Sequence, residues 1–373
     1  MANNTNLGAA KAAKNDEFYT QYADIQKEVN AYIEYNPDTF RDKTVLLPCD
    51  DPEWSNFTRF FAQNFERLGL RRLISTSYAV ESKKYKNYQP TLFETESPWF
   101  DADKTRIKGK IFELTRDANG NGRIDIDDLE WHYLEGDGDF RSREVCALRD
   151  EADIIVTNPP FSLFREFLGW IVEANKQFLI IGNMNAVSYK EVFPLIKDNE
   201  MWLGNGFNAG NAFFKFFGDT SDFVDGVYNS ETGLVKFRNC CWYTNLDHGQ
   251  RHEPLILMSM KDNIRYGKHK EIRVNGYIKY ENFDAIDIPY TDAIPSDYDG
   301  IMGVPITFLD KYCPEQFEII GHPHGDYGLE LGLTPFPREL KKLNKGLRDG
   351  DLYYLKEGKP ELPYRRILIR KKQ

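Results

Sequence analysis

The chain has 373 residues, 41% hydrophobic and 28% charged, with a net charge of −10 and five cysteines. This is the composition of an ordinary globular protein, long enough for two domains and a large core, with too few cysteines for a disulfide framework. No apolar run approaches the ~18 residues of a membrane span and residues 1–18 hold no signal-peptide core, so a cytoplasmic protein is expected.

Residues up to about 13 are small and polar and are expected to be disordered. Residues 15–35 read as a loop entering a helix, with Ile25, Val29, Tyr32 and Ile33 at helical spacing. Residues 44–47 form a strand ended by Pro48. Phe57, Phe60, Phe61, Phe65 and Leu68 then repeat along a helix that stops at Gly69. The first strand-to-helix turn is therefore Cys49-Asp50-Asp51-Pro52, the place where a doubly wound sheet holds a cofactor. It lacks glycines, and Asp50 and Asp51 offer carboxylates to a cofactor's ammonium or ribose, or else to a helix N-terminus. Residues 72–78 are the second strand, with no acidic residue at its end, and 107–114 a further strand.

Asp117 to Asp128 places oxygens at positions 1, 3, 5, 9 and 12 with glycine at 6, the spacing of a calcium loop. Asp128 is shorter than the usual bidentate Glu and the preceding segment reads as strand, so an acidic surface insertion over about 101–135 is the stronger reading and no metal is assigned. Gly136-Asp137-Gly138-Asp139-Phe140 follows. Its Asp-Phe pair suits a pocket that bonds an adenine amino group and covers its ring, with a plain turn as the alternative.

Residues 154–156 form a buried β-branched strand that Asn158-Pro159-Pro160-Phe161 stops abruptly, because proline gives no N–H to a ladder. Asn158 precedes a proline and is held extended, which fixes its amide at the strand's carboxyl end. That geometry suits methyl transfer to a conjugated amine such as adenine N6. The Asn158 and Pro159 oxygens would each accept one N–H and aim the nitrogen's lone pair at a methyl donor. Phe161 offers a face for stacking a base swung out of the duplex. A helix over 163–174, a strand over 177–182 and a helix over 187–198 continue the alternation of a mostly parallel sheet. Residues 201–203 and 240–245 read as the final strands and as candidates for an antiparallel pair. After residue 247 the pattern changes to short strands, including 253–258, 272–280 and 317–320, and His322-Pro323-His324 reads as a polar turn.

Asn158-Pro159-Pro160-Phe161 resembles the catalytic motif of N6-adenine DNA methyltransferases, and the flanking segments resemble the EcoRI-type adenine-specific methylases in particular. Those segments are Lys14 to Thr20, Cys49 to Pro52 with Ser55 to Phe57, Gly136 to Ser142, Phe178 to Asn185 and Gly303 to Asp310. The resemblance implies a Rossmann-like S-adenosylmethionine-dependent α/β fold, with a catalytic domain over 1–247 and a DNA target-recognition region over 248–373. It also implies that Phe18, Tyr19 and Thr20 close over the methionine end of S-adenosylmethionine, although Gln21 stands where many relatives have proline. Cofactor contacts are then expected from Phe18, Tyr19, Thr20, Cys49, Asp50, Asp51, Pro52, Asp139 and Phe140. Transfer is expected to be direct, since neither Cys49 nor Cys146 sits in the motif of a carbon-attacking methylase.

A net charge of −10 opposes a DNA partner, but residues 336–373 hold 12 Lys/Arg against 5 Asp/Glu, whereas 101–153 hold 9 against 15. A basic tail is what a phosphate-facing surface needs. The expected partner is double-stranded DNA, bound by a monomer, with a restriction endonuclease as a possible separate companion. Methylation of RNA bases or protein glutamine, and a non-enzymatic calcium-tuned DNA-binding protein, are the alternatives.

Overall fold

The computed structural model describes residues 18–48, 50, 55–79, 99–207, 210–216, 223, 226–343 and 346–372. Two units emerge: one comprises residues 1–184 and 203–248, the other 185–202 and 249–373.

In the first unit, β1 (Tyr19–Thr20) leads into α1 (Tyr22–Tyr35), whose apolar side buries Ile25, Val29 and Tyr32. β2 (Thr44–Leu47) is buried at all four positions, as expected of a central strand covered on both faces. α2 (Asn56–Gln63) begins at Ser55, whose side chain accepts the Phe57 N–H, and buries Phe57, Phe60 and Phe61. β3 (Arg72–Ser77), α3 (Ala102–Ile107), β4 (Lys110–Leu114), β5 (Glu130–Tyr133) and α4 (Arg143–Glu151) follow. β6 (Ile154–Thr157) is again buried throughout, and the two prolines behind it end the strand. α5 (Phe164–Glu173), β7 (Gln177–Asn183), β8 (Trp202–Leu203), β9 (Asn211–Lys215), β10 (Tyr228–Asn229), β11 (Leu234–Arg238) and β12 (Cys240–Thr244) complete the set.

Eight strands form the main sheet in the order β5-β4-β3-β2-β6-β7-β12-β8. The four central strands run parallel, through the pairs β2/β3, β2/β6 and β6/β7. β4 is antiparallel to both β3 and β5, and β12 is antiparallel to β7. The sheet is therefore mixed and parallel at its centre, because β3, β4 and β5 are joined as an antiparallel meander and not by crossover helices. From β2 the chain moves outward to β5 and then returns to β6 on the other side. That reversal makes the carboxyl ends of β2 and β6 a topological switch point, where ligands bind in open α/β sheets. A second sheet, β1-β9-β11-β10, is antiparallel in every pair.

The second unit contains α6 (Phe193–Lys197), α7 (Met260–Tyr266), α8 (Lys270–Asn275), β13 (Ile278–Lys279), β14 (Ala285–Asp287), β15 (Ile301–Pro305), β16 (Phe317–Gly321), α9 (Gly325–Glu330), α10 (Arg338–Leu343), β17 (Tyr354–Lys356), β18 (Lys359–Glu361) and β19 (Arg366–Lys371). Its five-stranded sheet runs β13-β14-β15-β19-β16, and β17 and β18 form a hairpin. Three expected elements differ. Residues 253–258 carry no strand, and residues 187–198 hold only the short α6, with Pro194 at its first turn. Residues 270–275 are helical where 272–280 reads as strand, and of that expected strand only Ile278–Lys279 forms, as β13. Ile272 is buried but Val274 is 70% exposed, so the β-branched alternation does not mark a sheet face, and Gly276 at φ +67° ends the turn.

Candidate active site

Three strand ends carry the candidate residues. At the end of β6, Asn158 is half-buried and its Nδ2 donates to the Phe18 carbonyl at 2.6 Å. A carbonyl only accepts, so this bond fixes which way the amide faces and turns Oδ1 outward from Phe18. Asn158 Oδ1 is buried and has no hydrogen-bond partner. An unpaired buried acceptor costs about 1–3 kcal/mol, which an N–H from a bound molecule would return. Pro159 is buried and Pro160 half-buried, and a 3-10 turn over Phe161–Leu163 leads into α5.

Phe161 is partly exposed. Its ring lies 6.1 Å from Phe18, 6.2 Å from Phe214 and 5.4 Å from Phe237, so three aromatic rings of the small sheet and the N-terminal strand hold it in place. Phe18 stacks further on Phe216 at 5.3 Å. Thr20 lends its carbonyl to Asn56 Nδ2 at 2.8 Å, and its buried hydroxyl is unpartnered. The segment Phe18-Tyr19-Thr20 is thus tied at one end to β6 and at the other to the start of α2.

At the end of β2, Asp50 is buried. Ser55 donates to its Oδ1 at 2.7 Å, and the Thr157 hydroxyl lies 2.5 Å from Oδ2 and 2.9 Å from the Pro48 carbonyl. The Ser75 hydroxyl donates to the Asp50 carbonyl. Asp50 therefore joins the turn after β2 to Thr157, the residue immediately before Asn158. Cys49, Asp51 and Pro52 lie outside the described residues.

At the end of β3, the segment of residues 136–140 packs directly on the strand. The Ala79 N–H donates to the Asp137 carbonyl at 2.8 Å, and Gly138, at φ +86°, sits where a Cβ would come within 2.3 Å of the Ser77 carbonyl oxygen. Asp139 is held by Arg141 through two bonds of 2.8 and 2.5 Å, and the guanidinium holds its carboxyl below the usual range. Phe140 is 0% exposed between Phe167 and Trp170. The ring supports the loop from inside the core.

Sequence reasoning missed four supporting residues. Thr157, Ser55 and Asn56 anchor Asp50 and Thr20; the signal was a hydroxyl or amide flanking each motif. The fourth is Glu28, an acid on the apolar side of α1. It is fully buried, accepts from the Tyr32 hydroxyl at 2.8 Å and the Asn205 N–H at 3.0 Å, and also accepts the Gly206 N–H. Burial pushes its carboxyl up to about 7. Around it, a Cβ at Gly204 or Gly206 would strike Glu28 and Trp242, and Phe207 stacks on Trp242 at 5.7 Å.

Asp117 Oδ1 accepts the N–H groups of Gly120 and Asn121 and Oδ2 that of Gly122, while Asp128 accepts those of Ala118, Asn119 and Asp125. The terminal carboxylates of the calcium-like spacing thus close the turn on itself, between two antiparallel strands. Among the described residues no three His, Cys, Asp or Glu side chains gather as a metal site, and no helix is long and apolar enough to cross a membrane.

A half-buried amide ahead of two prolines, bonded through Nδ2 to the Phe18 carbonyl, thus stands at the switch point of an α/β sheet. The model of the adenine-specific methyltransferase EcoRI family matches residues 6–372. The chain is 40% identical to the type II methyltransferase M.EcoRI of Escherichia coli over its whole length and 98% of the relative's. It is 34% identical to M.MpnI of Mycoplasma pneumoniae over 83% of both chains, and 34% identical to M.MgeORF184P of Mycoplasma genitalium over 83% of this chain and 84% of that one. The chain belongs to the EcoRI-type adenine-specific methyltransferase family. No solved structure matches it.

Proposed function

We propose that this chain transfers a methyl group from S-adenosylmethionine to N6 of an adenine flipped out of duplex DNA, as the modification enzyme of a restriction-modification or related system. The observation that carries this reading is the free Asn158 Oδ1, buried and fixed in direction by the bond from Nδ2 to Phe18.

The residues present fit the cofactor. Its sulfonium and ammonium charges suit the carboxylates of Asp50 and Asp137, Asp139 being held by Arg141, and the unpartnered Thr20 hydroxyl offers a further polar contact. Segment 18–20 and Asp50 would hold the methionine and ribose portions, and the loop of residues 136–140 the adenine portion. When bound, the cofactor supplies an electrophilic methyl. The chain's own contribution is placement: Asn158 Oδ1 and the Pro159 carbonyl accept the two N–H bonds of the adenine amine, drawing the nitrogen toward a tetrahedral shape. Phe161, held from behind by its aromatic neighbours, stacks on the base. No strong base is required, because the nitrogen sheds its proton after the methyl has joined it.

In this reading the second unit reads the target sequence, a cytoplasmic monomer suffices for catalysis, and a separately encoded nuclease recognises the same site. Incubation with labelled S-adenosylmethionine and unmodified duplex DNA, RNA or bulk protein tests it. N6-methyladenine in DNA alone is expected; label confined to RNA or protein would overturn the reading.

A further inference from the structure

Five of the twelve Lys/Arg of the basic tail are paired with carboxylates. Lys341 pairs with Asp349, Lys356 with Glu361, Arg366 with Asp287, Arg370 with Glu318 and Lys371 with Asp299. Unpaired positive charge of the second unit also gathers on a segment that sequence reading passed over, the helical hairpin formed by α7 and α8. Residues 259–275 hold five Lys/Arg against two Asp/Glu, a local +3 in a chain of net −10. Lys261, Arg265, Lys270 and Arg273 are exposed, and none of the four has a carboxylate partner among the described residues. Only Lys268 is engaged, by Asp292 at 2.6 Å.

Helical spacing explains why these charges face water. Asn263 is the buried residue of α7, and Lys261 and Arg265, two places either side of it, project from the opposite side. Ile272 is the buried residue of α8, and Lys270 and Val274 stand opposite it in the same way. Apolar side chains are exposed among the cations: Tyr266 at 65%, Val274 at 70% and, on the preceding extended segment, Ile256 at 99%. The hairpin is firmly seated. The Ser296 N–H donates to the Met258 carbonyl at 2.9 Å, Asp297 accepts the Met260 N–H at 2.6 Å, and the His269 ring stacks on Tyr290 at 3.7 Å. Ile256 projects from a backbone whose neighbour Leu255 is bonded at both its N–H and its carbonyl to the Gln316 amide.

A rigid element carrying unpaired cations interleaved with exposed apolar and aromatic side chains has the chemistry of a nucleic-acid contact and not of a solvated face, which would be polar throughout. We propose that the α7–α8 hairpin and Ile256 form a DNA-docking surface. Lys261, Arg265, Lys270 and Arg273 contact phosphates, and Ile256 packs against bases or sugars in a groove. The proposal rests on the reading that the substrate is duplex DNA.

The test is the salt dependence of binding by the full chain to unmodified duplex DNA. In the fourfold variant K261Q/R265Q/K270Q/R273Q the slope of log K against log salt is expected to shrink by about 3 to 4, with S-adenosylmethionine affinity and melting temperature unchanged. A matching variant of paired tail residues, K341Q/K356Q/R370Q/K371Q, is expected to leave the slope nearly intact. Ile256→Ala should weaken DNA binding several-fold without altering the slope. An unchanged slope in the hairpin variant, or a larger loss in the tail variant, would overturn the proposal, as would undiminished affinity in Ile256→Ala. If wild-type protein neither binds nor methylates DNA, the substrate reading itself fails, and that outcome is distinct from a hairpin variant that binds and methylates normally.

Discussion

Asn158 is legible in the sequence because two prolines announce it, but its orientation is not. The deciding bond runs to the carbonyl of Phe18, 140 positions earlier, and no local pattern records it. Thr157 and Asp50 are coupled in the same way across 107 positions. Thr157→Val deletes a donor to a buried carboxylate and is expected to cost about 1–3 kcal/mol of stability and to weaken cofactor binding; thermal melting and calorimetric titration of S-adenosylmethionine check both. Glu28 makes a pH prediction. Its carboxyl rises from 4.5 to about 7 on folding, so the folded chain binds the proton more tightly. The stability this provides is full below pH ~4.5 and is lost as pH climbs through about 7, on the order of 3 kcal/mol in all. Melting temperatures between pH 5 and 8 should therefore fall more steeply in wild type than in Glu28→Gln; parallel curves would deny the coupling.

Elements were readable where burial enforces a period and less so elsewhere. β2, β3, β6 and β7 lie within one or two residues of their expected bounds; β2, β6 and β7 are built on apolar runs, and β3 carries Leu73 and Ile74 into a buried Ser-Thr-Ser end. Residues 272–280 misled because Ile272 and Val274 carry strand propensity in a helix that buries only one of them, so local preference yielded to packing. The segment of residues 136–140 was legible as a glycine-rich turn, whereas the burial of Phe140 beneath it was not, since that depends on Phe167 and Trp170 from the following helix. Two glycines of this turn should behave oppositely. Gly138→Ala places a Cβ against the Ser77 carbonyl at a positive φ and is expected to lower stability by about 1–3 kcal/mol, while Gly136→Ala meets nothing within 4 Å and should be neutral by chemical denaturation.

At the scale of the whole molecule, the sequence suggested a change of character near residue 247, and the compact units divide after residue 248, except that residues 185–202 belong to the second unit. That excursion is invisible locally, because membership of a unit depends on where a segment packs and not on what it contains. Charge was similarly ambiguous: the tail's twelve positive residues stand out in sequence, yet the partners of five of them, Asp287, Asp299, Glu318, Asp349 and Glu361, are spread over 75 positions. The central claim is that a fixed amide grips the amine that receives the methyl group. Its most direct test is the single-turnover rate of methyl transfer to unmodified duplex DNA by Asn158→Ala. The rate is expected to fall by a factor of about 100 or more while S-adenosylmethionine affinity stays within a few-fold of wild type. Transfer at the wild-type rate in that variant would contradict the account.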